Sequence, residues 1–396
     1  MLNRLTVSAL LRAAILAAAL IIIGGIWLSA WEAWQRLQLA NRMTVVAEIS
    51  ADLFKAMSKM RTDMSTTNRQ LNADHMDSDV ETYLRGLRDA EMPAMSSGLA
   101  LLARAEFAQQ GAQVAEFDRL LKTLTAQQSE FWDEVRKPKA ARRLALAKEY
   151  VTTVQGLLDT LDAISGSLAA AVDHQDATID QLLAIKQDAW LLRNTAGEAS
   201  LIVSTSLNAG QITPAARQNY TKLVGGSETA WKALELITAS MQLPPELSGA
   251  MAAAKTAYFE PDYLALRDRL IATVASGEKA ELTANQFTPL TVGRMSTAVK
   301  VAETALDAAK AHSAEQSSTA LHSLIMQLGL LAGAIALTFG AMTMVGRRVI
   351  TPLVTIRDAM LKVAGGDLTV STGYGERQDE IGALAGALET FKQQAE

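Results

Sequence analysis

The sequence predicts an all-α protein: two transmembrane helices flanking an antiparallel up-down helical bundle, expected as two four-helix bundles, and a short parallel coiled coil after the second crossing. Three observations predict it. The 396 residues are 49% hydrophobic but only 5% aromatic, with eight prolines, a composition suited to long helices and not to a β-rich protein. Two uncharged apolar runs, Ala13–Trp31 and Leu324–Gly346, enclose the residues numbered 32 to 323. Between them apolar residues recur at steps of three and four, as in Val154, Leu157, Leu161, Ile164, Leu168 and Ala171, the period of a bundled helix.

The first element is a basic N-terminus, 1–12, with Arg4 and Arg12, followed by a first crossing over 13–31. Both apolar runs meet the length of roughly 20 residues that a helix needs to span the hydrocarbon core. A cleaved signal peptide is the alternative for the first. Its length, Leu28 in place of a small residue, and an interfacial belt of Trp27, Trp31 and Trp34 favour a retained anchor. The second crossing, 324–346, ends at Arg347 and Arg348. Arginines flank both runs on the same side, so the positive-inside rule puts both termini in the cytoplasm and 32–323 outside.

The outer segment reads as eight helices: 32–75, 78–109, 113–136, 139–172, 174–209, 214–242, 245–276 and 289–322. Ser78 and Glu81 have capping-box spacing, and Thr213-Pro214 and Thr288-Pro289 each look like an N-cap with proline at the first helical position. Gly210 and Gly277 are C-terminal stops, and Pro93 and Pro261 are expected to kink their helices. The polar run Asp173–Asp176 leaves open whether 139–209 is one helix or two. Both ends must return to the same bilayer face, so the helix count must be even; this favours eight, with sub-bundles 32–172 and 174–322. Asp52, Phe54, Leu71, Asn72 and Ala73 recur in kind at Asp188, Trp190, Leu207, Asn208 and Ala209, a spacing that would fit an internal duplication but also arises readily in alanine-rich helices.

Two short stripes follow the second crossing: Leu353, Ile356, Met360 and Val363, then Ile381, Leu384, Leu388 and Phe391. Each is too short for a stable lone helix. Pairing with a second copy into a four-helix parallel coiled coil would bury both. These 48 residues resemble a HAMP domain: Pro352-Leu353 early in the first helix, Gly366-Asp367-Leu368 in the connector, and Asp379-Glu380-Ile381-Gly382 opening the second helix. Thr372 departs from the aliphatic residue common in such connectors. The whole plan resembles the N-terminal part of methyl-accepting chemotaxis receptors. That resemblance implies a homodimer in a bacterial inner membrane, a periplasmic sensor, and a HAMP relay over 347–396. It also implies a chemotaxis kinase and adaptor as partners, through a cytoplasmic module expected to lie beyond Glu396. The sensor half of a histidine kinase or diguanylate cyclase, and a non-sensing membrane scaffold, are the rival readings.

Catalytic chemistry is not legible. There is no glycine-rich phosphate loop, no G-x-S-x-G and no H-x-x-x-H. His75, His174, His312 and His322 are scattered, and cysteine is missing altogether, so neither a metal site nor a cofactor is expected. A net charge of −5 gives no reason to expect nucleic acid as a partner. A small-molecule ligand is expected, with anions among the candidates. Trp190, Arg193, Trp231 and Tyr258 fall at similar heights on three successive helices, where an arginine among aromatics would suit a small carboxylate, a nitrate-like anion or an aromatic acid. The plainer reading is a packed aromatic layer with Arg193 snorkelling to solvent. Arg61, Asn68 and Arg69 on the first outer helix form a second candidate.

Overall fold

A computed structural model describes residues 6–76 and 79–395. It is 85% helical and has no strand among the described residues. Two units are resolved, one comprising residues 1–37 and 318–396 and the other residues 38–317.

Eleven α-helices occur among the described residues. The second unit is built from the part of α1 (Val7–Asn72) after residue 37, α2 (Val80–Leu102), α3 (Gln110–Val135), α4 (Leu146–Val172), α5 (Ala177–Ala209), α6 (Pro214–Ala239), α7 (Pro245–Tyr258), α8 (Pro261–Ser276) and the part of α9 (Ala284–Val345) before residue 318. One apolar cluster runs through this unit from Ala40 to Ala309 and draws on α1 and all the helices that follow it here. A smaller cluster of Leu71, Val80, Leu84, Phe131, Val135 and Leu146 closes one end of α1, α2, α3 and α4.

Local chemistry accounts for most boundaries. Asp176 caps α5 by accepting from the backbone N–H groups of Thr178 and Ile179, so 139–209 is two helices separated by a turn. Thr213 caps α6 through Ala216 N–H at 3.1 Å, with Pro214 at its first position. Gly210 and Gly277 stop α5 and α8 with φ of 65° and 75°, a region that costs glycine nothing.

Several boundaries differ from the sequence reading. Pro261 breaks the 245–276 helix instead of kinking it, because it starts α8 at a position where its missing N–H is no loss. Pro93 stays inside an unbroken α2. A 3-10 turn at Lys139–Ala141 replaces the expected start of the fourth helix, which begins at Leu146. Thr288 is not an N-cap: α9 begins at Ala284, and Thr288 Oγ1 donates back to the Ala284 carbonyl at 2.8 Å. The cap there is Thr283, whose N–H donates to Gln286 Oε1 at 3.0 Å. Ser78 of the expected capping box lies outside the described residues.

The other unit holds the two apolar runs and the tail. Both runs are helical, and their apolar side chains are not packed against protein: Leu20, Ile21, Leu337 and Phe339 are all more than 70% exposed. A core helix of a soluble protein would be covered. Uncovered apolar helices of this length belong in lipid, and the chain is a membrane protein. Trp31 and Trp34 stack at 5.1 Å beyond the first run, and Arg347 and Arg348 lie exposed beyond the second. There a π-helical turn, Gly346–Ile350, joins α9 to α10 (Thr351–Ala364), and α11 (Glu380–Ala395) follows the connector.

Candidate functional site

The site begins with the spacing of two helices. On α5, Lys186, Trp190, Arg193 and Gly197 follow at steps of four, three and four and so share a face. On α1, Phe54 and Arg61 are two turns apart and share another. These faces meet. The Phe54 and Trp190 rings cross edge-to-face at 5.5 Å, both buried. Lys186 Nζ lies 5.9 Å from the Phe54 ring, and the Arg193 guanidinium stands 5.8 Å over Trp190.

The Arg61 charge reaches Arg193 and disfavours its charged form. Burial, then the Arg61 charge, pushes the Arg193 guanidinium down to about 9. Burial lowers Arg61 as well, opposed by Glu198 and Asp159. Glu198 lies 3.7 Å from Arg61 Nη2, beyond hydrogen-bond reach. Arg193 has no ion pair and no hydrogen bond among the described residues; its one specific contact is the Trp190 ring. Two guanidinium groups with one loose carboxylate 3.7 Å from Arg61, and Asp159 at longer range, make a locus of incompletely compensated positive charge, which suits a small anion.

Gly197 leaves room for this arrangement. A Cβ there would sit 3.2 Å from Arg193 Nη1 and 3.8 Å from Met295 Sδ. The arginine therefore folds over bare backbone, alongside a buried methionine of α9.

The other residues singled out from sequence go elsewhere. Trp231 and Tyr258 are buried in a second aromatic cluster, Trp231 on Phe259 at 5.1 Å and Tyr258 near Tyr263 at 5.8 Å. Its cation is Arg267, 4% exposed, whose Nη1 donates to Tyr258 Oη at 3.2 Å. Among the described residues no ring or cation contact joins Trp231 or Tyr258 with Trp190 or Arg193. Asn68 and Arg69 are exposed, and Asn68 Oδ1 accepts from Asn72 Nδ2 at 3.2 Å.

Two buried polar groups escaped the sequence reading. Lys186 is 2% exposed and donates to Ser165 Oγ at 2.5 Å; burial pushes its ammonium down to about 8. In the other group Arg88 Nε donates to Asp63 Oδ1 at 3.2 Å and Nη2 to Thr67 Oγ1 at 2.9 Å. Tyr150 donates its hydroxyl to Asp63, and Gln128 Nε2 donates to Glu91 Oε1 at 2.6 Å. Burial, with the nearby Asp63 charge, raises Glu91 to about 8. The polar Gln127-Gln128 break in an otherwise apolar stripe was the sequence signal for this group.

In the tail, Ile356, Ala359, Val363, Ala385 and Leu388 form a core, with Leu368, Val370, Tyr374 and Ile381 around it. Val370 and Tyr374 line the connector on either side of Thr372, which needs no aliphatic side chain there. Pro352 is buried and Leu353 half-buried, but Met360, Leu384 and Phe391 are exposed on the single copy at 40%, 39% and 61%. Gly366 turns the connector with φ 94°. Glu380 is exposed at the start of α11, whose backbone is held by Asp379 accepting from Gly382 N–H at 3.2 Å. A Cβ at Gly382 would lie 1.8 Å from the Arg377 carbonyl oxygen, so only glycine fits.

Comparison with known proteins agrees with this tail. Residues 344–396 match the HAMP domain family. Among solved structures the chain is similar to the NasR transcription antiterminator, at 14% identity and a TM-score of 0.55, over 92% of this chain and 98% of that one. At that identity the likeness speaks for the fold alone. No curated protein matches. Two crossing helices and a HAMP domain make the chain a transmembrane signal transducer.

Proposed function

We propose that the helical unit 38–317 senses a small anion between Arg61 and Arg193, and that α9 carries the response to the HAMP domain. One observation carries the reading: Arg193 holds its charge beside a second arginine with no carboxylate of its own. The ligand class is a small monovalent anion with oxygen acceptors, a nitrate-like anion or a short carboxylate, since a guanidinium fork matches paired oxygens. Trp190 gives the site an apolar wall. Arg193 Nη1 and Met295 Sδ both border the space beside Gly197, which supports α9 as the responding element, because α9 is one unbroken helix through the second apolar run to Val345. An anion that draws Arg193 toward Arg61 would change what Met295 packs against. Only a difference in affinity between two packings of α9 is required.

We further propose that the sensor faces the periplasm of a bacterial inner membrane and that two copies pair through the HAMP helices. The exposed Met360, Leu384 and Phe391 support pairing, since they complete heptad stripes that one copy leaves uncovered. The proposed output is a chemotaxis signalling module; this rests on the resemblance of the layout, and HAMP domains serve kinases and cyclases equally.

The test is a thermal-shift screen of the full chain in nanodiscs with sodium nitrate, formate, acetate, sulfate and chloride. At least one oxyanion should raise the melting temperature saturably, and Arg61→Ala should remove the shift. A flat panel, or a shift that survives Arg61→Ala, refutes the site.

A further inference from the structure

The two arginines are served by one carboxylate, and its placement is unusual for a structural ion pair. Glu198 directly follows Gly197 on α5 and lies five residues beyond Arg193. Its side chain is 55% exposed, whereas that of Arg61 is only 14% exposed. The separation of 3.7 Å exceeds the 2.7–2.9 Å of a charge-assisted hydrogen bond, and no hydrogen bond joins the two. Asp159 contributes attraction to Arg61 at longer range. The cation is thus built in, and the anion reaches it loosely from the solvent side.

We propose that Glu198 is a tethered competitor, which partly neutralises Arg61 in the empty site and is displaced when a small anion bridges Arg61 and Arg193. The proposal rests on the anion-site reading. Its chemistry is an exchange of counter-ions. The empty site keeps one long ion pair, screened by water on the carboxylate side and therefore weak. A free oxyanion small enough to enter can accept short charge-assisted hydrogen bonds from both guanidinium groups at once, which a side chain anchored to α5 at this distance does not do. The tether keeps an acceptor at high local concentration, so it raises the anion concentration needed to fill the site.

The experiment is calorimetric titration of the full chain in nanodiscs with sodium nitrate and, separately, sodium formate, at fixed ionic strength. Wild type is compared with Glu198→Gln and Glu198→Ala. Loss of an exposed pair of this kind corresponds to about a two- to fivefold lower dissociation constant for the anion in both variants. Their melting temperature without anion should fall slightly, since Arg61 and Arg193 then keep only the longer-range attraction of Asp159 to Arg61. A purely structural Glu198 predicts that fall with no gain in affinity. Unchanged or weaker binding in either variant therefore overturns the competitor. Absence of saturable binding in all three proteins overturns the anion site itself, which is a separate outcome.

Discussion

Replacing Arg193 by methionine separates a ligand-binding arginine from a structural one, because the two roles predict opposite changes in stability. Methionine keeps an apolar side chain of similar length and removes the charge that stands over Trp190. Burial and the Arg61 charge push the Arg193 guanidinium down to about 9, so its charged form is disfavoured in the fold. For a base with a lowered folded value, that cost is fully present at neutral pH and is relieved only as pH rises through 9 and beyond. At ~1.4 kcal/mol per tenfold change the whole displacement would be on the order of 4–5 kcal/mol. Arg193 is partly exposed, and solvent screening reduces this to about 1–2 kcal/mol. Arg193→Met should therefore unfold at the same or higher denaturant concentration than wild type. Its response to ligand should vanish. An anion at one hundred times its dissociation constant adds about 2.7 kcal/mol to the wild type, or roughly 5 °C for a domain of this size. The assay is differential scanning fluorimetry of both proteins with and without nitrate. A variant destabilised by more than about 2 kcal/mol, or one that keeps the shift, refutes the reasoning.

Three other perturbations follow from the same geometry. Glu91, raised to about 8, takes up a proton on folding across the interval between the ordinary carboxylate range and 8, so stability should fall as pH rises through that interval; thermal unfolding at pH 5 and pH 8 should show a smaller decline for Glu91→Gln than for wild type. Tyr150→Phe leaves a buried oxygen of Asp63 without its phenolic donor and should cost about 1–3 kcal/mol in chemical unfolding. Gly382→Ala places a Cβ on the Arg377 carbonyl and should loosen the start of α11, seen as faster amide exchange in that helix with α5 unchanged.

The parts of the fold that were readable are those fixed by local chemistry. The two apolar runs, the three-four stripes and the cap chemistry of Thr213, Gly210 and Gly277 act over a few residues, and the helices end where those residues stand. Pro261 and Thr288 were misread because proline tolerates both a kink and a first helical position, and threonine both a cap and a back-bond. Only the neighbouring chain decides between them. For the site, Arg61, Trp190 and Arg193 were legible as residue types. That α1 and α5 bring the first and third together was not, since nothing within one helix records which face its partner presents. Trp231 and Tyr258, expected from residue counting at a height similar to Trp190, pack in another cluster with Arg267, an arginine hidden in an ordinary helical stretch. In the tail, the glycine and acidic landmarks were sufficient to locate the relay. The buried stripe instead uses Ala359 and Ala385 beside Ile356, Val363 and Leu388, and Met360, Leu384 and Phe391 stay exposed on one copy. The π-helical turn at Gly346–Ile350 had no sequence signal beyond its arginines.

The most direct test of coupling from sensor to relay uses a property of the sequence itself. The chain has no cysteine, so a single Met360→Cys substitution gives one thiol on the α10 face left uncovered in a single copy. The rate of disulfide formation between two copies in membranes is measured with and without nitrate. It should change with the anion in an otherwise wild-type sensor and stay constant when Arg193→Met is added. A rate indifferent to every oxyanion that binds the sensor, or a response that persists without Arg193, would contradict the account.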